Sequence, residues 1–110
     1  MKVVFIASDK LGTGDPDVSD ILLRKFLNTL VEVEPLPDAM IFINSGVYLV
    51  CDSSPNLSDL KILSEAGVDI LSCGTCIDMY DLAERVEVGR ISNMKEIAEK
   101  LLSADSVVRP

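Results

Sequence analysis

The chain of 110 residues has no histidine and no tryptophan, and aromatic residues make up only 5% of it. Without imidazole, the Ser-His and Cys-His routes to an activated nucleophile are closed within one chain. The usual imidazole-ligated zinc sites are closed for the same reason. So few rings make a poor platform for stacked bases. Positive charge is scarce too: 10 Lys and Arg stand against 18 Asp and Glu, a formal charge of −8. A duplex-binding surface displaces counterions with cations, so nucleic acid and anionic membrane surfaces are not expected partners. No apolar run reaches the ~18 residues of a membrane-spanning helix. The opening stretch, Met1 to Ile6, is too short for a secretory signal and has no small-residue cleavage site. Internal repeats, low-complexity tracts and linkers are missing as well.

What is present is a chain that can build a core. Hydrophobic residues reach 48% and the mean hydropathy is +0.33, which excludes intrinsic disorder. The length predicts one domain over residues 1–110, burying roughly 65% of the surface its unfolded form exposes. Three cysteines are an odd number in a chain without a secretory signal. They point to a reducing, cytoplasmic setting where thiols are chemical groups rather than staples. No metal and no cofactor is implied.

Apolar blocks alternate with helical patterns along the chain. Val3 to Ala7 reads as a strand covered on both faces. The Leu11–Pro16 loop leads into a helix with Asp15 as its cap and Pro16 at its first position. That helix is expected to bury Val18, Leu22, Phe26 and Leu30, with Leu23, Leu27 and Val31 widening the stripe, and to stop at Pro35 and Pro37. Ala39 to Ile43 is a second strand, and Asn44-Ser45-Gly46 a turn. Val47 to Cys51 fits either a strand or a helical turn. Ser54-Pro55 is expected to open a second helix that buries Leu57, Leu60, Leu63 and Ala66 and ends at Gly67. Val68 to Ser72 is a third strand. Thr75 and Asp78 form a capping-box pattern for a third helix. Val86 to Ile91 reads as a short strand interrupted by Gly89. Asn93 with Glu96 caps a fourth helix, whose Met94, Ile97, Ala98, Leu101 and Leu102 have helical spacing. Val107 and Val108 make a last strand. The order β-α-β-α-β-α-β-α-β predicts an α/β fold with a five-stranded parallel sheet between helical layers. Sites in such sheets lie beyond the carboxyl ends of the strands. The loops there are Ser8–Asp15, Asn44–Gly46 and Cys73–Cys76.

The segment Ser72-Cys73-Gly74-Thr75-Cys76 places two thiols where a strand hands over to a helix. Backbone N–H groups at a helix start can lower a thiol pKa and raise its thiolate fraction. Cys76 gains most from such groups, while Cys73 at the strand end is expected to face the pocket. Asp78 and Asp81 oppose the effect with negative charge. Lys10 is one of few cations expected nearby, and as such could lower a thiol pKa across the pocket. Asn44 and Ser45 can hydrogen-bond a bound group. N–H groups from Gly74, Thr75 and the residues up to Ile77 can stabilise a charged outer sulfur. A half-site for zinc and an inert buried pair are the other readings of the two thiols. Cys51 is expected to be a core residue. Gly12-Thr13-Gly14 lacks the third glycine of a dinucleotide fingerprint, since position 17 is aspartate, and no Gly-Lys-Ser/Thr follows. If Val47 to Val50 is exposed, it forms an apolar patch suited to self-association; the alternative is that it packs inside.

The segments VVFIASDKLGTGD (3–15), PLPDAMIFINSGV (35–47), ILSCGTCIDMYDL (70–82) and VGRISNMKEIAEKLLSADSVV (88–108) resemble the DsrE/DsrF-like sulfur-relay proteins. More closely, they resemble the C-terminal domain of YedF-type selenium-metabolism proteins. The resemblance implies a three-layer α/β/α sandwich, a homo-oligomer, and sulfur carried as a cysteine persulfide on the CxxC motif. It implies Cys73 as carrier and Cys76 as second thiol. It also implies sulfur donor and acceptor proteins as partners, a TusA-like carrier among them. Full-length YedF-type proteins usually carry such a domain at the N-terminus, and it does not occur in these 110 residues. A thiol–disulfide oxidoreductase and a non-catalytic oligomeric module are the alternatives.

Overall fold

The computed structural model describes residues 1–110. The apolar blocks form β1 (Lys2–Ile6), β2 (Ala39–Phe42), β3 (Asp69–Cys73), β4 (Arg90–Ser92) and β5 (Ser106–Val108). Between them lie α1 (Pro16–Leu30), α2 (Leu57–Glu65), α3 (Gly74–Met79) and α4 (Met94–Ser103), with a 3-10 segment over Asn44–Val50. All strands are parallel, in the order β4-β3-β2-β1-β5. The three-layer α/β/α expectation is met. β2, at the centre, is buried at all four positions, as a strand covered on both faces must be.

Connection handedness decides which face each helix takes. The first three crossovers step the same way across the sheet, so α1, α2 and α3 share one face. The fourth runs back from β4 to β5 at the far edge, so α4 lies on the other. The side chains agree. One core joins Leu23, Leu27, Leu60, Leu63 and Ile77 to the Val4, Met40 and Ile70 side of the strands. A smaller one joins Ile97 to Val3, Ala39, Ile41, Leu71 and Cys73. The direction of exit therefore reverses between β3 and β4. That pair forms a topological switch point, where α/β sheets open a crevice.

Local chemistry explains most element ends. The Asp15 carboxylate accepts from the Asp17 and Val18 amides, and Asn93 accepts from Glu96. Several expectations need correction. Helix α1 buries Ser19, Leu23 and Leu27. Val18 and Leu22 are exposed, because more of the helix circumference is apolar than the sheet can cover. Leu27→Ala is therefore expected to cost about 3 kcal/mol, as a cavity in a packed core. Leu22→Ala, at a position 43% exposed, should cost less than about 1 kcal/mol. Urea unfolding of the two variants checks the assignment.

Helix α2 begins at Leu57 rather than at Pro55, with Asn56 in the cap position and its amide bonded to the Ser54 hydroxyl. Ala66 falls beyond its end and is exposed. Residues 47–51 are neither strand nor surface patch. Val47, Leu49 and Val50 turn into the larger core. Strand β4 starts only after Gly89, while Val86 bridges Cys51 in an isolated antiparallel pair.

One charged cluster fastens the outer edge of the sheet. The Arg90 guanidinium grips Asp69 at 2.9 and 3.0 Å and Glu96 at 2.7 and 2.8 Å. The Ser92 hydroxyl donates to Glu96 as well. These hydrogen bonds, Arg90's first, draw the Glu96 carboxyl down to about 2. Hydrogen bonding to Arg90 also lowers Asp69. An unfolded Glu titrates near about 4.3, so the native chain holds fewer protons in acid than the unfolded one. The stabilisation is full above about pH 5 and drains away as the pH falls toward 2. Arg90→Gln should lower the urea midpoint at pH 7, and its deficit against wild type should shrink at pH 4 and more at pH 2.5.

Candidate functional site

Strand β3 ends at Cys73, and α3 starts at the next residue with no loop between. That immediate turn needs Gly74. A Cβ there would lie 2.8 Å from the Ser92 carbonyl oxygen at the end of β4. The close approach draws β3 and β4 together at the switch point, directly beneath α3.

The two thiols of the motif differ sharply. Cys73 is 2% exposed and points into the smaller core with Leu71 and Ile97. Cys76 is half-buried and packs against both cores, which seats it over the carboxyl end of the sheet. Its Sγ accepts a hydrogen bond from the Asn44 amide at 3.1 Å. Asn44 holds φ at 52°, a left-handed conformation that asparagine tolerates better than most residues. A non-glycine residue in that region is held there by its surroundings.

The surroundings are identifiable. The Tyr80 hydroxyl donates to Asn44 Oδ1 at 3.0 Å. The Tyr80 ring packs against Tyr48, with centroids 4.8 Å apart and planes tilted by 46°. Tyr48 belongs to the same 3-10 segment as Asn44, and Tyr80 ends the helix that carries Cys76. The tyrosine pair thus clamps the amide donor to the thiol.

Burial pushes the Cys76 thiol above its ordinary range. The Asn44 amide opposes the shift, and the neighbouring Cys73 thiol adds to it. The expectation of a lowered thiol pKa is therefore reversed. The helix is only six residues long, and the cost of removing a sulfur anion from water outweighs one amide donor. Cys51 is buried, and its thiol donates to the Val47 carbonyl at 3.3 Å, the core role expected for it.

Of the sequence-derived candidates, the fold brings Asn44, Cys73, Gly74 and Cys76 together. Ser45 is one step away, its hydroxyl accepting from the Asp9 amide at 3.2 Å. Thr75 is exposed and lies inside α3 rather than capping it. Cys73 occupies the cap position, and its side chain makes no capping hydrogen bond. Lys10 lies in the loop after β1, its amide bonded to the Ser8 hydroxyl, and it is not among the groups that set the Cys76 thiol. The tyrosines escaped the sequence reading. The available signal was that Tyr80 follows Cys76 by four residues, one helical turn, and is one of only two tyrosines. No group of three or more Cys, Asp or Glu side chains is arranged to hold a metal ion. No helix is long and apolar enough to cross a membrane.

A family model described as the DsrE/DsrF-like family matches residues 1–110. No curated protein matches the chain. Among solved structures, the ychN protein from E. coli is 22% identical with a TM-score of 0.73, the match covering 99% of this chain and 98% of that one. The protein of unknown function MTH1491 from Methanobacterium thermoautotrophicum is 18% identical with a TM-score of 0.69, covering 99% and 98%. The conserved protein of unknown function BT1422 from Bacteroides thetaiotaomicron is 16% identical with a TM-score of 0.67, covering 99% and 94%. At these identities the likeness is one of fold.

Proposed function

This chain belongs to the DsrE/DsrF-like family, and on that premise we propose that it relays sulfur as a persulfide on Cys76. The observation that carries the reading is the half-buried Cys76 Sγ at the switch point, with the Asn44 amide directed at it. The resemblance in sequence pointed to Cys73 as carrier. Its 2% exposure favours the other thiol of the pair.

The Cys76 thiolate attacks the outer sulfur of a donor persulfide. The donor S–S bond breaks, a new S–S bond forms on Cys76, and the donor leaves as a thiol with the proton. Nothing is oxidised or reduced overall. An acceptor thiol removes the sulfur by the same step in reverse. The Asn44 N–H stabilises negative charge on Sγ as it attacks and again as it leaves. Burial first, and Cys73 in addition, raises the pKa of the Cys76 thiol. The amides that open α3, Gly74 and Thr75, are further donors for charge on an outer sulfur. Sulfur donor and acceptor proteins, a TusA-like carrier included, a homo-oligomeric assembly and a cytoplasmic setting complete this reading. The same chemistry admits selenium.

Incubation with a small-molecule persulfide, followed by intact-mass and peptide analysis, tests it. The expected result is one added sulfur per chain, located on Cys76. An unmodified chain under conditions that load a control sulfurtransferase would overturn the carrier reading. The closeness of the two thiols supports a second reading, a reversible Cys73–Cys76 disulfide. A redox titration that yields a stable disulfide, with no sulfur uptake by the dithiol, would favour it instead.

A further inference from the structure

A cavity of about 240 Å³ opens between α1, the 3-10 segment and the turn before α2. It is separate from the thiols, and Tyr48, which lines it, packs against Tyr80. We propose that this cavity binds a small organic ammonium group carried on a short apolar stem.

Charge is the first argument. Asp9, Asp20 and Arg24 line the cavity. Arg24 is paired with Asp20 at 2.6 Å, which leaves those two neutral together. The Asp9 carboxylate forms no ion pair. Only its backbone amide is engaged, by Ser45. The cavity therefore holds one uncompensated negative charge and repels small anions. An ammonium brings three donors. Asp9 and the hydroxyl of Ser53 or Ser54 on the rim can accept two of them. Tyr48 adds an aromatic ring to the same wall.

Shape is the second argument. Leu23, Leu49 and Pro55 make the apolar part of the wall, and the two leucines are almost fully buried. A short alkyl stem would lie along that part of the wall. The volume suits a metabolite-sized group rather than a larger cofactor. A free alkyl amine and the lysine side chain of a partner protein present this same chemistry.

The chain supplies its own reporter. It has no tryptophan and two tyrosines, and both belong to the Tyr48–Tyr80 pair beside the cavity. Intrinsic tyrosine emission thus reads this region and nothing else. Titration with pentylamine and with Nα-acetyl-lysine methylamide is expected to give saturable changes. Pentan-1-ol and pentanoate should give none. Asp9→Asn should weaken amine binding by about tenfold or more, and added salt should weaken it in the unmodified chain. Tighter binding of the blocked lysine identifies a partner's side chain as the ligand, and tighter binding of pentylamine a free amine. An equal response to pentan-1-ol, or full-strength amine binding by a folded Asp9→Asn chain, would overturn the proposal. Because the readout is binding, it stands or falls independently of sulfur transfer.

Discussion

A Cys76→Ala chain is expected to take up sulfur from a persulfide donor about a hundredfold more slowly than wild type, while Cys73→Ala retains at least about half of the wild-type rate. The argument is one of access and charge. A donor has to reach the attacking sulfur in line with its own S–S bond, and Cys73 lies at 2% exposure beneath α4. Cys76 is open to solvent on one side and has an amide directed at its Sγ. Thiolate is the attacking species, and burial raises the Cys76 pKa. Uptake should therefore climb with pH by about tenfold per unit through the neutral range and continue past the pKa of free cysteine. Cys73→Ala removes a neighbour that raises that pKa, so its pH profile should move to lower pH. Intact-mass time courses across a pH series measure both effects. A folded Cys73→Ala chain that takes up no sulfur would return the carrier role to Cys73.

The second large effect is on stability. Gly89 holds φ at 77°, and a Cβ there would lie 2.5 Å from the Ile70 carbonyl oxygen and 2.7 Å from Ile70 Cγ2. Alanine meets two penalties at once. The left-handed backbone costs roughly 1–2 kcal/mol for a residue with a Cβ, and forcing a methyl into a packed contact costs about 1–3 kcal/mol. Neither neighbour can move cheaply, because the oxygen and the side chain both belong to β3 beside the edge strand. A loss of about 3 kcal/mol is expected, a large share of the roughly 5–15 kcal/mol that holds a domain together. Thermal unfolding should fall by about 12 °C or more. Gly14→Ala is the control. Its Cβ meets nothing within 4 Å, and its melting temperature should stay close to wild type.

Much of this fold can be read from the sequence because short apolar blocks mean buried strands wherever helical spacing separates them. Val3–Ile6, Ala39–Phe42 and Ile70–Ser72 are such blocks. Asp15 and Asn93 announce their helices because their side-chain oxygens reach amides two or three residues ahead. Helix α1 is misread for a physical reason. Val18, Ile21 and Leu22 are apolar and exposed, so periodicity alone cannot choose the face that meets the sheet. β4 is misplaced because an apolar pattern across Gly89 hides a bend at a positive φ. In the candidate site, the cysteine pair and Asn44 are legible as types at loop positions. The unequal burial of the two thiols is not, since it depends on α4 closing over one face. The Tyr80–Asn44 bond spans 36 residues, and no local pattern encodes it.

The left-handed turn at Asn44 gives the amide a sulfur partner in place of an oxygen one. Amide proton resonances report the electron density of the atom they face. In a nitrogen–proton correlation spectrum this single peak is expected to shift as Cys76 ionises, and again as it gains or surrenders an outer sulfur. The backbone thereby carries a gauge of cargo at a site the sulfur itself faces, readable in solution.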